Sequence, residues 1–233
     1  MFMCTLNHLD RTRRALEILR RCTPWSDDVR LTVIDTGSQD GTQEYLLREG
    51  WFDVILLRRN PGLVRVNNMA LRLWPARYYV NVHNDLEVCP GWLETLIRAA
   101  ESDPRIGLIG PNPCGDPRVQ IYHVNPDGGI SGKVVDVPPS RIVDAEYVEN
   151  HGLLIKDQLL NAIGPWDEDF NPFWYDDTEL SFRARRDGWR TCLYCGLPIH
   201  HTPMTTARDI PGLGEIQARN RDLFIKKCGD MLK

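Results

Sequence analysis

The sequence has neither long hydrophobic runs nor an excess of charge of one sign. No run approaches the roughly 18 apolar residues of a membrane-spanning helix, so we expect no transmembrane segment. The 233 residues carry 28 Lys and Arg against 32 Asp and Glu, a net charge of −4. This intermixed, slightly acidic balance excludes the basic surface on which proteins bind DNA or RNA, so nucleic acid is not an expected partner. Peripheral contact with a membrane surface stays open.

Internal repeats, heptads and low-complexity segments are also absent. The 42% of hydrophobic residues is ordinary for a globular protein of this length and is enough to bury a full core. We therefore expect a single domain over residues 1–233.

The cysteines indicate a reducing environment. There are seven, an odd number, and the N-terminal segment MFMCTLNHLDRTRR lacks the apolar stretch of a signal peptide. We expect free thiols and a cytoplasmic location. Cys192 and Cys195 have the spacing of a metal-binding pair, but they fall in a strand-like stretch where residues three apart face opposite ways. We expect them to be buried thiols.

Short apolar runs alternate with amphipathic ones through the first half of the chain. We predict strands at Leu31–Ile34, Phe52–Leu57 and Tyr78–Val82 and helices at Thr42–Glu49, Leu63–Trp74 and Gly91–Glu101. This alternation is typical of an α/β fold, with a mostly parallel sheet flanked by helices. Ligands of such sheets bind beyond the carboxyl ends of the strands.

The second half is less regular. Gly, Pro and Asp cluster between residues 111 and 140, which indicates hairpin or loop excursions from the sheet. Beyond them we predict a strand at Tyr147–Ile155 and helices at Gln158–Ile163, Asp177–Asp187 and Glu215–Lys227.

Three polar clusters are candidates for chemistry. Asp35–Thr42 follows a strand and combines a carboxylate with glycines and small hydroxyls, which suits a nucleotide or simply a tight turn with a helix cap. His83–Glu87 offers oxygen ligands for Mg²⁺ or Mn²⁺, or solvated loop acids. Trp174–Glu179 places acids at a helix start behind a run of aromatics, and capping explains only one of these acids.

These clusters belong to a longer series of motifs: Thr5–Asn7, Val33–Thr42, Asn60–Asn68, Val82–Trp92, Gly164–Glu168 and Tyr175–Leu180. In order and spacing the series resembles the family 2 glycosyltransferases with the GT-A fold, and in particular their rhamnosyltransferase-like branch. Val33–Thr42 is similar to the family's V-D-N-G-S-x-D-G-T element. The triplet His83-Asn84-Asp85 is similar to its D-x-D motif, with histidine in place of the first acid.

The resemblance implies transfer of a sugar from a nucleotide-diphosphate donor to an acceptor hydroxyl, with inversion and with Mn²⁺ or Mg²⁺ as cofactor. A UDP-sugar is favoured, and GDP- and dTDP-sugars stay open. The acceptor would be a glycan or a lipid-linked or protein-linked group. Residues 1–110 would form the nucleotide-binding half of the GT-A fold and residues 111–233 the loop-rich acceptor-binding half.

The resemblance also assigns roles to residues. The nucleotide-binding residues would be Thr5, Asn7, Asp35, Arg65, Asn67, Asn84 and Asp85. The metal ligands would be drawn from Asp85, Glu87, His200 and His201. Asp177 would be the general base, with Asp176 in reserve. Sugar rings stack on aromatic rings, so we expect the acceptor at Trp166, Trp174 and Tyr175, for which core packing is the alternative.

Two other functions fit parts of the pattern. A non-catalytic sugar- or nucleotide-binding module of the same fold would explain His83 in place of an acid. A sugar-nucleotide pyrophosphorylase would need a glycine-rich loop near the N-terminus, and Thr5–Leu9 contains no glycine.

Overall fold

The computed structural model of the chain describes residues 1–112, 118–138, 141–201 and 210–232. Its α-helices are α1 (Leu9–Cys22), α2 (Thr42–Glu49), α3 (Leu63–Leu71), α4 (Trp92–Glu101), α5 (Asp157–Ile163), α6 (Asp176–Arg186) and α7 (Leu213–Cys228). Its strands are β1 (Phe2–Thr5), β2 (Thr32–Asp35), β3 (Asp53–Leu56), β4 (Tyr78–Asn81), β5 (Leu86–Glu87), β6 (Ile106–Pro111), β7 (Arg118–Val124), β8 (Ile130–Asp136), β9 (Ile142–Asp144), β10 (Leu153–Lys156), β11 (Arg190–Tyr194) and β12 (His200–His201).

Eight strands form the central sheet, in the order β3-β2-β1-β4-β10-β6-β11-β9. Strands β3, β2, β1 and β4 are mutually parallel, and β11 is parallel to β6. Strand β10 is antiparallel to both of its neighbours, β4 and β6. Helices α1, α2 and α3 connect β1 to β2, β2 to β3 and β3 to β4, as crossover connections between parallel strands require. The predicted α/β class with a mostly parallel sheet is confirmed.

Side chains of the central strands alternate between two hydrophobic cores. Met3 and Val33 pack with α1, α2 and α4 on one face, and their neighbours Phe2 and Ile34 pack with α3, α5 and α6 on the other. Adjacent residues of a strand point to opposite faces, so these strands must be apolar throughout. This explains why they appear in the sequence as continuous hydrophobic runs.

Several predicted boundaries need correction. The helix predicted over Leu63–Trp74 ends at Leu71, before Pro75. The strand predicted over Tyr147–Ile155 is regular only over Leu153–Lys156, because Gly152 adopts a positive φ of 74° just before it. The hairpin expected between residues 111 and 140 is confirmed as β7–β8, while residues 113–117 and 139–140 lie outside the described part of the chain.

The cysteines and the helices of the described residues agree with the expectations of free thiols and of no transmembrane segment. Each cysteine that the structure describes is a free thiol, and Cys192 and Cys195 are buried as expected. None of the helices in the described residues combines the length and hydropathy that a bilayer span requires. The cytoplasmic location stays a prediction.

The C-terminal helix α7 fastens the loop that leads into α6. Phe224 of α7 packs against Tyr175 and Phe182 in a third hydrophobic cluster. Asn220, with no exposed surface, directs its amide nitrogen to three loop carbonyls at 2.8–2.9 Å: Phe170, Phe173 and Trp174. One buried amide therefore holds the backbone of the segment that carries Trp174 and Tyr175.

We predict that Asn220→Asp destabilises the fold by about 3 kcal/mol, because a carboxylate cannot donate to these carbonyls and is buried beside them. The free energy of unfolding in urea measures the effect. Asp222→Asn on the same helix is the control: this side chain is 74% exposed, so a change below about 0.5 kcal/mol is expected. Equal stability of the two variants would contradict the role given to Asn220.

Candidate active site

Two cavities meet at the carboxyl ends of the parallel strands. The strand-end cavity, of about 270 Å³, is lined by residues that follow three strands: Thr5 and Leu6 after β1, Thr36 after β2 and His83–Asp85 after β4. The carboxylate cavity, of about 680 Å³, is lined by Glu149, Asp176 and Asp177 among others. Both cavities share a wall formed by Leu63, His83, Phe173 and Trp174.

A cluster of three ligand-type side chains lies on the strand-end side. The ligand atoms of His83, Asp85 and His201 all lie within 4.8 Å of one another. His201 Nε2 is 3.4 Å from Asp85 Oδ1. His83 Nε2 is buried and has no hydrogen-bond partner among the described residues. A buried polar nitrogen without a partner is costly, and a bound cation would satisfy it.

The protonation of His83 also fits a cation. Burial lowers the pKa of His83 to about 4, against the opposing effect of the Asp85 carboxylate. The imidazole is therefore neutral at pH 7 and keeps a lone pair for a metal. Two imidazoles and one carboxylate are a donor set that divalent transition metals accept.

The other two predicted metal ligands lie apart from this cluster. Glu87 pairs with Arg14 at 2.7 Å. His200 stands opposite Glu87 in the β5–β12 pair and is exposed. Because neighbouring residues of a strand face opposite ways, His201 points to the cluster while His200 does not. The structure thus brings together Asp85 and His201 of the four predicted ligands, and adds His83.

Asn84 connects the cluster to β1. Its amide nitrogen is 3.3 Å from the Thr5 hydroxyl oxygen and 3.0 Å from that of Thr12, and the two hydroxyls are 2.9 Å apart. The end of β1, the start of α1 and the turn after β4 are joined by this network. Thr5 and Asn84, two of the residues predicted to bind the nucleotide, both line the strand-end cavity, and that role stays a prediction.

Asp35 organises the loop after β2. Its carboxylate accepts hydrogen bonds from the amides of Gly37 and Ser38, from the Ser38 hydroxyl and from Gln43. Asn7 joins the same loop through Ser38 Oγ and the Gln39 amide. Asp35 has no exposed surface, and the residue of this loop on the cavity wall is Thr36.

The two predicted residues of α3 occupy different environments. Asn67 is fully buried beneath Cys4, whose thiol is 3.5 Å from its Oδ1. Arg65 is exposed and pairs with Glu168 at 3.5 Å. Neither lines the strand-end cavity, whose α3 wall is made by Leu63 and Val66.

Asp176 and Asp177 begin α6 side by side but have different contacts. Asp176 is buried, and its two oxygens accept hydrogen bonds from the Trp174 amide at 2.9 Å and the Asn150 amide group at 2.8 Å. Asp177 is only partly buried and accepts hydrogen bonds on Oδ1 from the amide and hydroxyl of Thr178, and the backbone of Asn150 also donates to its carboxylate. Because Asp177 is less buried than Asp176 and lines the carboxylate cavity, it is the more accessible of the two to a bound molecule.

The electrostatic environment strengthens both carboxylates as bases. Burial and then the neighbouring Asp177 raise the pKa of Asp176 above its usual value. Burial and then the Glu149 carboxylate raise the pKa of Asp177 to about 6. A carboxylate with a raised pKa holds a proton more tightly, and at pH 7 Asp177 is still mostly ionised.

The aromatic residues divide between the cavities and the core. Trp174 lines both cavities, and Tyr175 lines the carboxylate cavity while its hydroxyl donates to the Gly128 carbonyl at 2.6 Å. The structure does not bring Trp166 to this wall: it is buried in the core, edge-on to Phe2. Tyr122 and Tyr147, stacked at 5.8 Å, complete the aromatic lining.

Sequence reasoning missed Glu149 and His151 as site residues. Both lie immediately before β10, and both line the carboxylate cavity. Their signal was present: the polar triplet Glu149-Asn150-His151 interrupts a stretch that is otherwise apolar. The triplet lies at the site only because β10 pairs antiparallel with β4, and the sequence pattern does not indicate this pairing.

Comparisons with known proteins agree with this arrangement. The family model of glycosyl transferase family 2 matches residues 1–132. No curated protein matches the chain. Among solved structures, the chain is similar to GalNAc-T7 with UDP, GalNAc and Mn²⁺, with a TM-score of 0.69 and 14% identity over 86% of this chain. It spans 43% of that chain's length.

A second similar structure is the mannosyltransferase PcManGT from Pyrobaculum calidifontis in complex with GDP-Man and Mn²⁺. It has a TM-score of 0.63 and 15% identity, and the alignment covers 99% of this chain and 70% of that one. At such identities these likenesses show the fold, which is that of the GT-A glycosyltransferases. The family match spans more than half of the 233 residues, and the chain therefore belongs to glycosyl transferase family 2.

Proposed function

We propose that this protein transfers a sugar from a nucleotide-diphosphate donor to an acceptor hydroxyl, with inversion at the anomeric carbon and with a divalent metal. One observation carries the proposal: the His83, Asp85, His201 cluster and the carboxylate of Asp177 face cavities that share a wall. A donor held in the strand-end cavity would present its sugar at that wall. An acceptor in the carboxylate cavity would meet it beside a base.

The three-residue cluster would hold the metal, with Glu87 and His200 as the less favoured ligands. A divalent cation bound there would offset the charge of the departing diphosphate. Two imidazole nitrogens suit a transition metal better than Mg²⁺, which prefers oxygen ligands. Both similar structures contain Mn²⁺. We therefore propose Mn²⁺ as the cofactor.

Asp177 would be the general base. Inversion in a single displacement needs a base on the side of the sugar opposite the leaving group, where the acceptor hydroxyl loses its proton. Asp85 and His201 line the strand-end cavity and Asp177 lines the carboxylate cavity, with His83 on the wall between them, which supports that separation. Asp176, engaged on both oxygens, would hold the Trp174 backbone and Asn150.

The two halves of the chain line different cavities for the most part. Most of the strand-end lining comes from residues before 110, and most of the carboxylate-cavity lining from residues after 111. This supports one domain with a donor half (1–110) and an acceptor half (111–233). Thr5 and Asn84 would contact the nucleotide directly. Asn7 and Asp35 would shape the loop that presents Thr36, while Arg65 and Asn67 would support α3 beside the diphosphate.

The nucleotide and the acceptor are the finer parts of the proposal. UDP is the nucleotide to test first, with GDP and dTDP as the alternatives. For the acceptor, Trp174 and Tyr175 would stack on a sugar ring of a glycan or of a lipid-linked or protein-linked saccharide. Trp174 borders both cavities, so it would contact donor and acceptor alike.

We predict that UDP and Mn²⁺ bind together. Calorimetry should show UDP binding more tightly with Mn²⁺ than with Mg²⁺, and least tightly with EDTA. Asp85→Asn and His83→Ala should each remove the Mn²⁺-dependent gain, because each deletes one of three ligands. Glu87→Gln and His200→Ala should keep it. Equal UDP affinity in Mn²⁺ and EDTA would leave the non-catalytic module as the better explanation.

We predict that Asp177→Asn lowers kcat by about 10²–10⁴-fold, since the amide keeps the shape and cannot accept the proton. Donor affinity with Mn²⁺ should stay within a few fold. The wild-type rate should fall as the pH drops through about 6, where Asp177 becomes protonated. Steady-state rates and UDP calorimetry test this. Near wild-type turnover by Asp177→Asn would show that another group takes the proton.

We further predict that Asp177→Asn raises the Tm at pH 8. The pKa of Asp177 is raised in the folded state, so its ionisation opposes folding: the cost is absent below pH 3.8 and grows as the pH rises through about 6. The gain in Tm, measured in EDTA, should therefore vanish near pH 4. Asp176→Asn is the comparison: an amide cannot accept both of the hydrogen bonds made to the Asp176 oxygens, so Tm should fall at pH 4, and fall less at pH 8, where the raised pKa of Asp176 also opposes folding. A loss of Tm at pH 8 in Asp177→Asn would indicate a helix-capping role.

A further inference from the structure

A third histidine lies against the proposed metal cluster. The rings of His151 and His201 are stacked, with centroids 4.1 Å apart and planes 14° from parallel. The cluster whose ligand atoms all lie within 4.8 Å of one another, in the described part of the chain, consists of His83, Asp85 and His201, and His151 is outside it. His151 therefore touches the face of the His201 ring and leaves His201 Nε2 directed at Asp85.

The backbone supports of these two histidines differ greatly. His201 belongs to β12, a strand of two residues whose one partner within the described residues is the equally short β5. His151 precedes β10, which is fully buried between β4 and β6 in the central sheet. The turn is fastened by the Gly152 amide, which donates to the Asn81 carbonyl at 2.8 Å. A ligand on a short peripheral strand thus rests on a ring anchored in the core.

The His151 ring is itself fixed in place. Its side chain is only 8% exposed, and its Nε2 lies 3.5 Å from Glu149 Oε2. The centroid of the His83 ring is 6.4 Å from that of His151 and 6.1 Å from that of His201, so the three rings pack together. Packing leaves His151 little rotational freedom, so its face is a rigid surface for His201. Partners that orient a metal ligand without binding the metal commonly govern metal affinity.

We propose that His151 is a positioning residue, whose ring face holds the His201 imidazole in the orientation that completes the metal cluster. This inference rests on the proposed metal-dependent function and adds a dependence that neither the family match nor the two similar structures assign. On this proposal, His151 acts through the flat shape and the size of its ring, and its nitrogen atoms do not bind the metal.

The test is the affinity for Mn²⁺ alone, measured on metal-free protein from the electron paramagnetic resonance signal of unbound Mn²⁺. His151→Ala should weaken binding about 10–100-fold, as is typical when the support of a metal ligand is removed. His151→Phe keeps a flat ring without ligand nitrogens and should bind within a few fold of wild type. His123→Ala, a half-exposed histidine paired with Glu146, is the control and should bind normally.

The outcomes separate the alternatives. Wild-type affinity in His151→Ala would overturn the proposal, and so would equal weakening in both His151 variants, which would make His151 a direct ligand. If His151→Ala does not fold, electron spin-echo spectroscopy of wild-type protein with Mn²⁺ still decides: two coupled imidazole nitrogens support the proposal and three contradict it. Failure of wild type to bind Mn²⁺ would instead remove the metal site on which the proposed function depends.

Discussion

The antiparallel pairing of β10 with β4 is the constraint on which the site depends. Leu153 stands opposite Asn81, so the residues that precede β10 lie at the same edge as those that follow β4. Glu149 and His151 are thereby brought beside His83 and Asp85, although more than sixty residues separate the two segments. A parallel β10 would have carried them to the opposite edge, because parallel strands start where their neighbours start.

Burial then determines the charge state of what this edge collects. The same loss of solvent lowers the pKa of His83 and His151 and raises that of Glu149 and Asp177. Both kinds of group are driven toward their neutral forms, so these buried side chains form a poor environment for an unpaired charge. Under the proposed function, a cation at the histidines or a proton donor at Asp177 would supply the missing interaction. Burial of these polar groups therefore favours the binding of partners that can interact with them.

Much of the fold follows from local signals in the sequence. The helix Thr42–Glu49 has its predicted bounds, because Asp40 binds the Thr42 amide at its start and Gly50 closes it with a φ of 67°. Strand-length apolar runs likewise located β2, β3 and β4 to within two residues. The helix α1 and the strand β6 were not predicted. The strand predicted over Tyr147–Ile155 begins too early. The apolar pattern of this stretch does not indicate the turn in which Gly152 has a positive φ.

The site is harder to predict from the sequence than the fold, because its residues are brought together by pairing between strands that are far apart along the chain. Asp85 and Asp177 stand in recognisable motifs, whereas Glu149 and His151 acquire meaning only from the strand beside them. His83 shows the limit most clearly: along the chain it reads as the loss of an acid from a D-x-D pattern. In space its ring lies in one cluster with Asp85 and His201, so under the proposed function a nitrogen of His83 would stand in for the missing oxygen ligand. The replacement of a motif residue therefore removes a function only when neither the new residue nor its neighbours can bind the same partner.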